Sequence, residues 1–509
     1  MHRSVLVAVA ACAVGIAAGA PSASAKGAPP PSDAARTAAY LDKIADSPPR
    51  LRIFLATLPK GGDLHNHNGG SIYAEDFLRW AAASGLCIAT DSWRVVDPPC
   101  DAPNRVPAAG LERDYARYSR AIDAFSTRGF ETGVGDPKVS GYDRFFATFD
   151  AFSGAARGKG GEAIALTREQ AAADHVAYLE LGVASPVSAT AVAALGKVDD
   201  PANFAAMAAQ LAPMLPGAVA KVRAEYDAIE AKAAEIDRCG SATPAPACGV
   251  EARYLYTAIR TLPPAAVFAQ LALGFAVAEA DPRFVGINIA APEHDPVAVR
   301  DYALHMRMIA FLKARHPRVN LSLHAGELTM GLVPPRDLAF HIRDAVAVAG
   351  ARRIGHGIDV AYETDATALL ARMARERVAV EINLTSNAVI LGVKGRDHPL
   401  SLYREAGVPV VLSTDDEGVS RSDMTNEYVR AVTEQHLRYA DLKQIVRDGL
   451  HYSFLPGASL WADRAGGARV TVCGVLTAPG CATFLAANPK AAKQAQLERD
   501  LAAFEAVRR

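Results

Sequence analysis

Short apolar runs, most of them ending in polar residues, alternate along this chain with longer, Ala-rich stretches of helical spacing. The runs predict strands at 62–67, 176–183, 253–260, 284–290, 319–324, 352–356, 377–384 and 408–414. Helical stretches at 264–280, 296–315, 335–349 and 365–376 fall between them. Eight strands alternating with helices predict an α/β chain folded as a (β/α)8 TIM barrel, whose chemistry sits at the C-terminal strand ends. The barrel is expected over 51–456, after a linker and N-terminal segment at 26–50 and before a tail at 457–509.

Two connections are too long for single helices. The first insertion, 68–175, carries helical stretches near 110–126 and 142–156, the second with Phe145, Phe146, Phe149 and Phe152. Aromatics at that spacing predict core packing, yet an insertion at this end of a barrel is also placed to form a lid or an interface. The second insertion, 184–250, reads as one long helical stretch at 203–236, and the tail ends in a helix over 489–508.

The chain has 509 residues, 50% of them hydrophobic, and a net charge of -1. That allows a large core and gives no reason to expect nucleic acid or an acidic membrane as partner. Residues 1–25 read as a signal peptide: His2 and Arg3 open it, Val5 to Ala20 is apolar, and Ala23-Ser24-Ala25 forms a cleavage site. The apolar run is short for a span, and Cys12 sits too early for the lipobox-like Val9-Ala10-Ala11-Cys12 to be preferred. A periplasmic or secreted protein is expected. Cleavage leaves six cysteines, for which neighbour pairing (Cys87/Cys100, Cys239/Cys248, Cys473/Cys481) is simplest in an exported chain.

No cysteine falls in the polar clusters, so a thiolate metal site is not expected. The clusters are His65-Asn66-His67, His324-Ala325-Gly326-Glu327, Gly355-His356-Gly357 and Ser413-Thr414-Asp415-Asp416. Residues two apart on a strand share a face, so His65 and His67 project together. With His324 and Asp415 they supply three imidazoles and a carboxylate, a donor set suited to one Zn²⁺ per chain that keeps room for water and acidifies it. Glu327, just past its strand, is placed to give a proton to substrate. His356 is placed to take a proton from the attacking water or to stabilise hydroxide, and Asp416 to accept a hydrogen bond from substrate. Helix capping for Glu327 and support of a ligand for Asp416 are the plainer alternatives. The strand at 284–289 has no Lys to bridge two metals, which favours a single ion.

These residues resemble the adenosine/AMP deaminase family of the amidohydrolase superfamily, from about Leu58 to Pro456. The likeness is carried by Leu58-Pro59-Lys60-Gly61-Gly62-Asp63-Leu64-His65-Asn66-His67, the three later clusters, Glu381 to Asn387, His398-Pro399 and Ser453-Phe454-Leu455-Pro456. It implies zinc on His65, His67, His324 and Asp415, and hydrolytic deamination of adenosine or deoxyadenosine. By the same resemblance Glu327 protonates purine N1, His356 assists the hydroxide, and Asp416 hydrogen-bonds N7.

Three departures bear on substrate. Asn68-Gly69-Gly70 stands where nucleoside-specific members have Leu-Asp-Gly, so the Asp that reaches the ribose is replaced by Gly69. Ala291 replaces a glycine whose amide contacts the purine, and Glu417 replaces a proline. Adenine or a modified purine nucleoside is therefore the alternative substrate, with a catalytically silent secreted binding protein behind it. Export, the first insertion and the extra cysteines also resemble, more loosely, the secreted growth-factor-like branch. The partner expected is a small purine nucleoside, with a homodimer left open.

Overall fold

The computed structural model describes residues 32–130 and 139–507, so the expected signal peptide lies outside the described residues. Eight strands line up in chain order: β1 (Gly61–His67), β2 (Val176–Val183), β3 (Glu251–Ile259), β4 (Phe284–Ala290), β5 (Asn320–Ala325), β6 (Arg353–His356), β7 (Ala379–Ile382) and β8 (Val410–Leu412). Every neighbouring pair is parallel. The ring closes between β1 and the end of β8. There the His67 amide donates to the Asp415 carbonyl and the Asp415 amide to the His65 carbonyl, both at 2.8 Å. The fold is a (β/α)8 barrel.

Alternation along β5 explains why the strands were readable. Leu321 and Leu323 are buried in the apolar core, whereas Ser322 bonds Glu381 and His324 bonds Asn288 inside the barrel. A charged plug fills the interior below the strand ends. Arg353 bonds both Glu180 of β2 and Glu381 of β7, and its guanidinium stacks 3.7 Å over Phe454. Thr414 donates to Asp63 at 2.5 Å, stitching the last strand to the first a second time.

Several local expectations change. Residues 33–56 hold two helices, Asp33–Ile44 and Pro48–Ala56. Pro48 and Pro49 disguise the second, yet they sit in its first turn, where a missing N–H costs nothing. The stretch 203–236 is two helices, Phe204–Leu211 and Leu215–Ile236, parted where Pro213 and Pro216 interrupt the backbone donors. Residues 335–349 form a 3-10 turn, one helical turn and a wider turn that ends at left-handed Gly350. The first insertion also holds a small sheet (Cys87–Ala89, Val95–Val96, Arg105–Pro107), whose strands are too short to show a period. The three neighbouring cysteine pairs are disulfides. Among the described residues, no helix is long and apolar enough to cross a membrane.

The aromatic helix of the first insertion, Gly141–Ala156, plays both roles open to it. Phe145 and Phe152 belong to a second core, where Phe152 stacks on Phe77 at 4.1 Å. Phe145, Phe146 and Phe149 also line the cavity above the strand ends, so the helix covers the site.

Candidate active site and metal centre

The C-terminal mouth of the barrel opens into a cavity of about 650 Å³, lined by His67, His324, Glu327, His356, Asp415 and Asp416. Gly69 and Ala291 line it too, while His65 is buried beneath. His67 Nε2 lies 3.1 Å from His324 Nε2, and Asp415 Oδ1 lies 3.3 Å from both His65 Nε2 and His67 Nε2. The four expected ligands therefore converge. His356 also gathers with His65, His324 and Asp415 in a set that could hold a metal ion.

Hydrogen bonds on the far side of the ring set His65 and His324 apart from His356. His65 Nδ1 sits 2.7 Å from Glu381 Oε2, and His324 Nδ1 sits 2.9 Å from Asn288 Oδ1. Both partners are acceptors, so each Nδ1 carries its hydrogen and each Nε2 offers a lone pair to the centre of the site. His65 Nε2 is buried without a hydrogen bond, an orphaned polar atom that a cation would satisfy. Burial alone would raise the Glu381 carboxyl, but Arg353 and then His65 hold it down at about 2.

His356 is wired in the opposite sense. The Leu400 amide donates to His398 Nδ1 at 3.1 Å, which leaves the hydrogen of His398 on Nε2. That Nε2 meets Asn387 Oδ1 at 3.1 Å, which turns the Asn387 amide nitrogen onto His356 Nδ1 at 2.9 Å. The hydrogen of His356 is thereby placed on Nε2, facing the site, and an imidazole so protonated is a donor and not a metal ligand. Burial lowers its pKa to about 3, so the ring is neutral.

Glu327 is buried, with Oε1 3.7 Å from His356 Nε2. Burial and then the charge of Asp415 raise its carboxyl to about 8. Its backbone is held by Glu293, which accepts from the amides of Gly326 at 3.0 Å and Glu327 at 2.9 Å while bonding His341 at 2.6 Å. Asp416 is pushed well above the carboxylate range by burial and by Asp415, and its Oδ1 is buried without a partner. The residue pattern has it accept a hydrogen bond, but a carboxyl held neutral can donate one. His356, Asp415 and Ala291 all have left-handed backbones, with φ of 67°, 60° and 93°. Such conformations are uncommon outside glycine and concentrate at functional sites.

The supporting residues Glu381, Asn288, Asn387, His398 and Glu293 went unassigned in the sequence. For Glu381, Asn387 and His398 the signal was only that they lie in motifs shared with the resembled family; the partners of the five are 11 to 316 residues away.

Residues 138–460 match the family model described as adenosine deaminase. The chain belongs to the adenosine deaminase family. It is 33% identical to an adenosine deaminase of Shewanella loihica over 159 residues, 30% of this chain and 45% of that one. It is 31% identical to an adenine deaminase of Sinorhizobium medicae over 208 residues, 41% of this chain and 58% of that one. The matches thus span about half the length of these curated relatives. In backbone, this adenosine deaminase family chain resembles an Arabidopsis N6-methyl-AMP deaminase. The TM-score is 0.51 and the identity 18%, over 79% of this chain and 96% of that one. That likeness speaks for the fold.

Proposed function

We propose that this chain is an exported, single-zinc deaminase that hydrolyses adenosine or deoxyadenosine to the inosine form and ammonia. The observation that carries the reading is the convergence of His65, His67, His324 and Asp415 beside a buried, neutral Glu327 at the barrel mouth. Those four residues would hold the zinc, which when bound supplies a Lewis-acidic centre that makes water nucleophilic near neutral pH. Asp415 would be the fourth donor, and it lines the cavity.

The remaining roles follow from protonation states. Glu327 gives its proton to purine N1, which draws electrons from C6 and readies that carbon for attack. His356, with hydrogen on Nε2, donates toward the attacking oxygen and stabilises its charge; it cannot accept a proton at that nitrogen. Asp416, held neutral, donates to N7, a ring nitrogen that can only accept. The phenylalanines of the covering helix shield the site from bulk water.

A second reading, an aminohydrolase of adenine, is favoured by Gly69, which stands where the resembled family carries its ribose-binding carboxylate. The deciding experiment follows ammonia release from adenosine, deoxyadenosine, adenine and AMP by the zinc-loaded chain, with and without chelator. Adenosine turnover that chelation stops is expected; turnover of adenine alone overturns the substrate assignment. Export rests on the leader motif and the three disulfides, and N-terminal sequencing of extracytoplasmic protein should begin near Lys26.

A further inference from the structure

Next to the reaction cavity lies a second chamber of similar size, about 650 Å³, walled by the two insertions. Ala156, Gly158 and Ile164 come from the first insertion, and Tyr226, Ala228 and Ile229 from the second. Gly69, Gly182, Val183 and Ala184 line both spaces, so the two meet at the ends of β1 and β2. Nothing obstructs that passage at Gly69, where an added Cβ would meet no atom within 4 Å. Each space alone suits a small ligand; together they exceed the usual range for one small-molecule site.

The orientation of a bound purine follows from Asp416. A Cβ on Gly70 would fall 1.6 Å from Asp416 Oδ1, so the Gly69-Gly70 turn lies directly against the group assigned to N7. N7 belongs to the five-membered ring, which also bears the sugar at N9. With C6 against the His–Asp cluster, N9 and its sugar point away from that cluster, toward the rest of the cavity lining, which includes Gly69, Gly182, Val183 and Ala184. Its terminal 5′ carbon then faces an opening walled largely by apolar side chains, where the resembled family supplies a carboxylate.

We propose that the preferred substrates are adenine nucleosides carrying an apolar substituent at the sugar 5′ carbon, seated in the second chamber. This inference rests on the deamination reading above and goes further by assigning a substituent that plain adenosine lacks. The chamber is not charge-free: Glu162, Glu225 and Lys232 also line it, but Glu162 pairs with Lys159 at 3.1 Å, Glu225 accepts from Ser185 at 2.5 Å and Lys232 pairs with Glu235 at 3.1 Å.

The test is a series of 5′-deoxy-5′-alkylthioadenosines, methyl to hexyl, compared with adenosine by kcat/KM on the zinc-loaded enzyme. A rise of about three- to fourfold for each methylene that becomes buried is expected over the early members. Ala228→Trp, on an exposed helix position, should flatten the series while leaving adenosine turnover unchanged. Ala156→Trp blocks the chamber from the opposite wall and serves if the first variant misfolds. Adenosine turned over as fast as every thioether, or a series indifferent to both tryptophans, overturns the inference and leaves the deaminase reading standing. Silence on every nucleoside, with intact zinc content, overturns both.

Discussion

The amide nitrogen of Asn387 lies 2.9 Å from His356 Nδ1, and that contact decides which edge of the imidazole carries its hydrogen. The same residue is oriented by His398, so two side chains outside the proposed donor set fix the chemistry of one beside it. Asn387→Leu should lower kcat by roughly 10–100-fold while the zinc content stays at one per chain. Asn387→Asp should do more. A carboxylate would draw the hydrogen to Nδ1 and turn Nε2 into a lone pair, so metal analysis alongside kinetics separates the two effects. Unchanged kcat in both variants would show that the tautomer is irrelevant.

Glu327→Gln keeps shape and hydrogen bonding but removes the transferable proton. A loss of at least about 10²-fold in kcat is expected, with zinc stoichiometry intact. Loss of the metal would instead move Glu327 from proton donor to structural support of the donor set.

Glu381 accepts from His65 Nδ1, so Glu381→Gln should weaken zinc retention more than it alters the reaction of the loaded enzyme. Affinity is expected to fall about 10–100-fold, measured by competition with a chromophoric chelator.

Much of this was legible in the chain. Parallel strands buried on both faces leave short apolar runs, and helices over them leave longer amphipathic ones, so all eight strands could be located within a few residues. His65, His67, His324 and Asp415 were legible because strand ends and polar clusters coincide. The wiring behind them was not. Glu381 under His65 and Asn387 behind His356 depend on contacts 316 and 31 residues apart in sequence, which no local period reports. The second chamber was hidden for the same reason, since its walls come from different insertions.

Ala291 holds a backbone φ of 93°, which costs an L-residue more than glycine. Ala291→Gly should stabilise the fold by about 1 kcal/mol, less whatever glycine's freedom in the unfolded chain removes. Its thermal midpoint should rise, and a fall would mean that the alanine methyl contributes packing that outweighs the strain.

Glu293 anchors the segment carrying Glu327. Burial would raise its carboxyl, but Arg260 and His341 reverse this and hold it near 2, against an ordinary value of 4.5. A depressed carboxyl stabilises the folded state fully above its unfolded value and loses that contribution as pH falls through the folded one. Glu293→Gln should therefore be less stable than the parent by roughly 3 kcal/mol at neutral pH. The gap should narrow between pH 4.5 and 2 in acid-unfolding curves. A gap that stays constant across that window would deny Glu293 its charged role.

The seam where the Asp415 carbonyl accepts from the His67 amide and the Asp415 amide donates to the His65 carbonyl has a temporal meaning. Donors from the opening and closing strands of the ring become neighbours only once the last strand docks, so a ribosome-bound chain short of Asp415 has no complete cation trap. Loading must follow docking of that strand, and an ion once seated would clasp the two ends of the barrel together. Amide protons at this seam should then exchange with solvent far more slowly in the loaded enzyme than in the stripped one.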